Sequence, residues 1–288
     1  MKSLRLALLL AVALLTSCST GTRLAYNNLD TLMRLEIGSL VTLEAAQKHS
    51  LDAEFKAVWD WHRQSELPAY AIVLRQLATE LDRGNPSRAT VDRIASISNR
   101  HAEIFAQRAL PGATRLMASL SNVQVDEVIA EQRQQIEKNL RKASRETATE
   151  RTARLADELA DSLDDWLGGV LMAQQTLIQQ RLAEAEARGA LAPEREYARA
   201  LIRLKRFADV LASRAQPGLD QRLLALAEPA DAAGVAERDA ARERGRSYFA
   251  ALALTLDHNQ REYFAKRLRR YAQDCDTLAA KPLESAAP

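Results

Sequence analysis

The sequence predicts an all-α protein, an antiparallel multi-helix bundle, on three observations. Ala, Leu, Arg, Glu and Gln dominate after residue 18, and these side chains lose little rotamer freedom in a helix. Apolar residues return at spacings of three and four, as in Leu43, Leu51, Phe55 and Val58 or, with one histidine in the pattern, Ile94, Ile97, His101, Ile104 and Phe105. No segment alternates apolar and polar residues as a half-buried strand would.

Helices are expected near 24–38, 44–66, 68–83, 87–109, 112–119, 122–165, 172–188, 194–213, 219–227, 235–252 and 257–279. Pro68 lacks a backbone donor and should break or bend the second of these. Asn85-Pro86 offers an N-cap and then a proline at the first helical position. Pro111-Gly112, Gly168-Gly169, Gly189 to Pro193, Pro217-Gly218 and Pro229 to Gly234 mark the later turns. The stretch 122–165 interleaves Glu131, Arg133, Glu137, Lys138 and Arg141, the pattern of a solvated helix braced by opposite charges.

The N-terminus carries an address. Lys2 and Arg5 precede the apolar run Leu6 to Leu15, and Thr16-Ser17-Cys18 closes it. The run is too short for an ordinary membrane span and reads as a secretory signal. With its terminal cysteine it resembles the bacterial lipobox. That resemblance implies cleavage before Cys18, acylation of its thiol (palmitate among the chains) and a mature protein tethered outside the cytoplasm. Ser19, rather than Asp, then implies the periplasmic face of the outer membrane. The expected organisation is a signal peptide at 1–17, a lipidated cysteine with a short tether at 18–23, one helical domain at 24–280 and a flexible tail at 281–288.

The charge balance narrows the partners. The chain has 40 Lys and Arg against 38 Asp and Glu, and removing residues 1–17 takes away Lys2 and Arg5 and no acid. A neutral mature chain argues against nucleic acid as a partner, because phosphate binding needs a basic stripe. The run Lys266 to Arg270 reads as a solvated helix face. With Cys18 acylated, Cys275 has no partner within the chain and reads as a buried, inert thiol.

One internal echo stands out. Thr42-Leu43-Glu44-Ala45-Ala46-Gln47 is answered by Ser119 to Gln124 and by Thr255 to Gln260, with a weaker copy running from Leu171 to Gln175. Glu44 with Gln47, Ser121 with Gln124 and Asp257 with Gln260 fit capping boxes, each with a leucine just before the N-cap. The physical reading is a repeated helix start. These segments also resemble the Leu-Thr-x-x-Gln motifs of the Spy and CpxP type periplasmic chaperones and stress regulators, which implies a helical envelope protein that holds unfolding clients.

The richest chemistry lies in Trp59 to Tyr70. His62 and Glu66, four apart, share a helix face, a spacing that permits a hydrogen bond, a proton-transfer pair or two metal ligands. No third ligand follows at metal-binding spacing, so neither a metal nor another cofactor is expected. A polar network of His62, Arg63 and Glu66 at a helix kink is the favoured reading. Trp59 and Trp61 lie about 200° apart on a helix, so one of them should be partly exposed. Together with Leu24 to Asp30 and the lipobox, this segment resembles a family of uncharacterised bacterial lipoproteins. That family combines a Tyr-Asn-Asn-Leu-Asp start with a Trp-His-Arg-x-x-Glu-Leu-Pro-x-Tyr segment, and it supplies no reaction. Phosphate-loop, nucleophile-elbow, Cys-x-x-Cys and dinucleotide glycine motifs are missing. The resulting expectation is a non-enzymatic, membrane-tethered lipoprotein. It would bind other envelope proteins or unfolded segments through Trp59, Trp61, His62, Arg63, Glu66 and Tyr70. Two alternatives are an envelope hydrolase using His62 and Glu66, and a purely architectural tether.

Overall fold

The structure, a computed structural model, describes residues 19–280. Cys18, the signal segment and the tail at 281–288 lie outside the described residues, which form helices and no strand. In chain order these are α1 (Ser19–Asn27), α2 (Leu29–Gly38), α3 (Ala45–Trp61), a wide π turn (His62–Glu66), α4 (Leu67–Arg83), α5 (Arg88–Ser119) and α6 (Asn122–Ala143). There follow α7 (Ala148–Leu167), α8 (Met172–Ala187), α9 (Pro193–Ala212), α10 (Leu219–Ala225), α11 (Ala232–Leu254) and α12 (His258–Ala280).

Neighbouring helices run antiparallel, as cross-links between them show. α4 and α12, the most extensive pair, are joined by Arg75–Asp276 and Asp82–Arg269 ion pairs, so one rises as the other descends. α3 and the π turn that follows it are joined to α5 by Gln47 to Ser119, Glu54 to Arg115 and Glu66 to His101. Burial is divided among four apolar clusters rather than one. The first gathers Tyr26, Trp59, Leu67, Ala272, Cys275 and Leu278 from α1, α3, α4 and α12. A second lies between Leu43, Leu51, Leu120, Val128 and Leu211. A third joins Leu81, Leu167, Leu256 and Leu268, and a fourth joins Ala156, Ile178 and Leu182.

Four expectations need correction. The residues expected as a tether enter α1 from Ser19, and Arg23 pairs with Asp274 of α12 at 3.3 Å, which ties that segment to the body. The expected helix 122–165 is two. Thr147 caps α7 with a capping box, its Oγ1 accepting from Glu150 N–H while Glu150 Oε2 accepts from Thr147 N–H, and that box restarts the chain after Ser144. Pro111 does not end a helix, because α5 runs through it to Ser119. Its partner Gly112 is buried, and a Cβ there would stand 3.1 Å from Glu54 of α3, so the glycine sets how closely α3 and α5 approach. Pro68 likewise does not separate two helices. Its missing N–H and bulky ring are absorbed by widening one turn, with Leu67 N–H bonding back to the His62 carbonyl.

Gly168 terminates α7 in the left-handed region at φ 71°, and a Cβ there would lie 2.9 Å from the Tyr263 ring. Gly168→Ala should therefore cost about 1–2 kcal/mol from the backbone alone, and more if Tyr263 must move. Denaturant unfolding of the variant measures it; an unchanged midpoint would contradict the close approach.

Candidate functional site: the wide turn and the paired glutamines

The π turn places its polar residues inward. His62, Arg63 and Glu66 are buried, Trp59 is buried, and Trp61 and Tyr70 are half-buried. These side chains therefore offer little to a docking partner, and the expected partner surface is mostly interior. What the turn makes is the polar network. His62 Nδ1 lies 2.8 Å from Tyr26 Oη. Arg63 Nη2 donates to Asn27 Oδ1 at 2.7 Å, and its guanidinium sits 5.2 Å from the Tyr26 ring centroid. Glu66 Oε2 lies 2.6 Å from His101 Nδ1 on α5. The rings of Tyr26 and Trp59 stack on one another, and both also stack on His62. Tyr70 meets His101 edge-on at 4.9 Å.

Burial governs the electrostatics. It pulls the His62 pKa down from the usual 6.5 to about 4, with Arg63 and His101 pushing the same way and Glu66 opposing. At neutral pH His62 is uncharged and shares one hydrogen bond with the Tyr26 hydroxyl through Nδ1. Burial also raises the Tyr26 and Tyr70 hydroxyls well above the phenol range, Tyr70 with help from Glu66. The Cys275 thiol is buried beside this cluster and pushed up to about 12, as expected of an inert thiol. His62 and Glu66 each have their closest polar partner elsewhere, on Tyr26 and His101. His49 and His258 are exposed, away from this cluster. Among the described residues no group of three or more His, Cys, Asp or Glu side chains is placed to hold a metal ion.

The network joins the segment Leu24 to Asp30 to the segment Trp59 to Tyr70. Tyr26 and Asn27, from the first, are the partners of His62 and Arg63, from the second. They bind α1 to the turn. His101 was legible only as part of an apolar spacing, and nothing in its neighbourhood announced Glu66 as its partner.

The repeated helix starts meet in pairs. Gln47 of α3 and Gln124 of α6 exchange two hydrogen bonds through their amides, at 3.0 and 2.7 Å. Gln174 of α8 and Gln260 of α12 do the same, at 2.7 and 3.0 Å. All four are buried. Each Oε1 also accepts the backbone N–H of its own helix start, from Glu44, Ser121, Leu171 and Asp257. Three of the Nε2 groups donate further, Gln47 to the Ser119 carbonyl, Gln124 to that of Thr42 and Gln260 to that of Gly169. In each pair two helix N-termini adjoin. Their like partial charges would repel, and the paired amide oxygens supply the acceptors both ends lack. The fourth echo is shifted by one: Gln174 fills the role, while Gln175 is exposed. Leu171 has no side-chain oxygen, so only the returning half of the box forms there.

The basic run Lys266 to Arg270 is only partly the solvated face expected of it. Within the basic run, Arg267 is buried against Trp166 and Tyr271, and Arg269 pairs with Asp82. A small cleft of about 150 Å³ opens beside the first glutamine pair, lined by Gln47, Glu54, Gly112, Arg115 and Ser119 among others.

Comparison with known families matches residues 39–233 to a family of unknown function, DUF6279, and the chain belongs to that family. No curated protein and no solved structure matches.

Replacing one glutamine of a pair strands the other amide in the interior. Gln47→Leu or Gln124→Leu should each cost about 2–3 kcal/mol. The double variant should cost less than their sum by about 1 kcal/mol or more; strict additivity in unfolding experiments would deny the pairing. His62 makes a pH prediction. Its folded pKa is depressed, so its stabilising contribution is full above about 6.5 and is lost as pH falls towards about 4. The loss is up to about 3 kcal/mol. Unfolding free energy measured across that window should fall less steeply for His62→Gln than for the wild type, and equal slopes would contradict a neutral buried histidine.

Proposed function

We propose that this member of the family is a lipid-anchored envelope protein that binds apolar, unfolding segments of other envelope proteins. The N-terminal sequence supports the anchor at Cys18 and a position on the periplasmic face of the outer membrane. The helix starts, similar to those of periplasmic chaperones, support the holding role. The observation that carries the binding reading is the state of α5. Over its 32 residues Gly112 is its one buried residue. Val91, Ile94, Ile97 and Ile104 form a half-buried apolar stripe along it, outside the four apolar clusters as described. An apolar stripe that its neighbours only half cover can accept a partner's side chains at helical spacing. This moves the binding surface from the Trp59–Tyr70 side chains to the adjacent helix.

The chain folded in solution should suppress aggregation of reduced α-lactalbumin in a concentration-dependent way. Ile94→Glu with Ile97→Glu should abolish the effect while leaving helical circular dichroism intact. Equal protection by the variant, or none by the wild type, would overturn the reading. Cys18→Ser should move the protein from the membrane to the soluble envelope fraction; unchanged membrane retention would count against the anchor.

A further inference from the structure

α1 and α2 run nearly as one helix, interrupted at Asn28, whose N–H still bonds to the Leu24 carbonyl while its own carbonyl accepts from Leu32. Their inner side is anchored. Tyr26 and Leu29 are buried in the first apolar cluster, and Ile37 packs on the second. Their outer side is apolar and bare, with Leu24 64 %, Leu32 50 % and Leu35 67 % exposed. At 100° per residue, Leu24, Asn28, Thr31, Leu32 and Leu35 fall within an arc of about 100°.

No charged residue falls within that arc. The polar side chains on it are turned to local partners, Asn28 Nδ2 to the Leu24 carbonyl and Thr31 Oγ1 to Asp30. The flanking charges are drawn towards the body, with Arg34 joining Asp30 at 3.5 Å and Asp52 of α3 at 2.7 Å.

We propose that this leucine face lies in the membrane interface, with α1 and α2 flat on the lipid surface to which the chain is anchored. The inference rests on the reading of Cys18 as the acylated residue. Cys18 directly precedes α1, and Leu24 is about 8 Å along the helix axis from Ser19. A face so close to the point of anchorage meets lipid before it can meet a protein. Three leucines are also too few for a stable protein dimer, which buries at least about 1,200 Å². An apolar face without charge, bordered by polar residues, is what an interfacial helix presents to the headgroup and acyl boundary. The anchor and the face together fix how the body stands on the membrane, because Tyr26, Asn27 and Arg23 clamp α1 to the π turn and α12.

The test uses the full, processed chain in vesicles of phosphatidylethanolamine and phosphatidylglycerol. An environment-sensitive probe is attached at Leu24→Cys, Leu32→Cys or Leu35→Cys in turn; buried Cys275 does not compete. Each probe should shift its emission to the blue and be quenched by acyl-chain-brominated lipid. A probe at Ile202→Cys, exposed on α9, should do neither. Mass spectrometry of the same sample reads acylation. An acylated chain whose three probes behave like the Ile202 control overturns the membrane-lying face and leaves the anchor standing. A processed chain without acyl groups overturns the anchor, and the orientation inferred from it.

Discussion

Burying a primary amide costs free energy for every donor or acceptor left unmet, and four glutamine amides are buried among the described residues. Within each pair every amide donates once to the other and accepts once from it, and Gln47, Gln124 and Gln260 place their second donor on a backbone carbonyl. Each amide closes its own helix start and holds the start of another helix far away in sequence. The consequence is topological. Helices α3 and α6, and again α8 and α12, must begin side by side, and the intervening helices must leave and return within that constraint. With the burial divided among four small clusters, no single apolar core imposes this arrangement. Directional polar contacts fix it, and the apolar clusters fill in around them.

The π turn is the second fixed point. It joins α3 to α4 across Pro68, and it turns His62, Arg63 and Glu66 towards three separate elements. Tyr26 and Asn27 bring in α1, His101 brings in α5, and the Leu278 carbonyl brings in α12 through Arg63. Burial holds His62 neutral beside the buried Arg63 and Glu66 side chains. Tyr26 and Asn27 thereby lock α1 to the body of the bundle.

Much of this was legible in the sequence. Helix content, the helix starts at Glu44, Ser121 and Asp257, the polar network at 62–66 and the burial of Cys275 follow from local pattern and chemistry. The misses share a cause. Pro68 reads as a break or bend and Pro111 as a turn because propensity knows only the straight helix, whereas the chain takes up Pro68 in a widened turn and α5 continues through Pro111. The split at Ser144 was hidden by charge-rich sequence that reads as helix on both sides. Trp59 and His62 could not be assigned to the interior from an isolated helix, since their burial depends on α1 folding back across the turn. The echo of Leu-x-x-x-Gln was visible, yet pairing of the copies was not, because nothing local distinguishes a cap that faces solvent from one that faces another cap. The one-residue shift to Gln174 shows the same limit: Gln174 and Gln175 are adjacent and chemically identical, and only packing chooses between them.

The central claim is that the four glutamine amides are interior, mutually bonded groups. Hydrogen exchange of their side-chain NH2 protons, followed by NMR, tests it most directly. The account predicts that the amides of Gln47, Gln124, Gln174 and Gln260 exchange far more slowly than that of exposed Gln175. Exchange of all five at the rate of a solvated glutamine would contradict it.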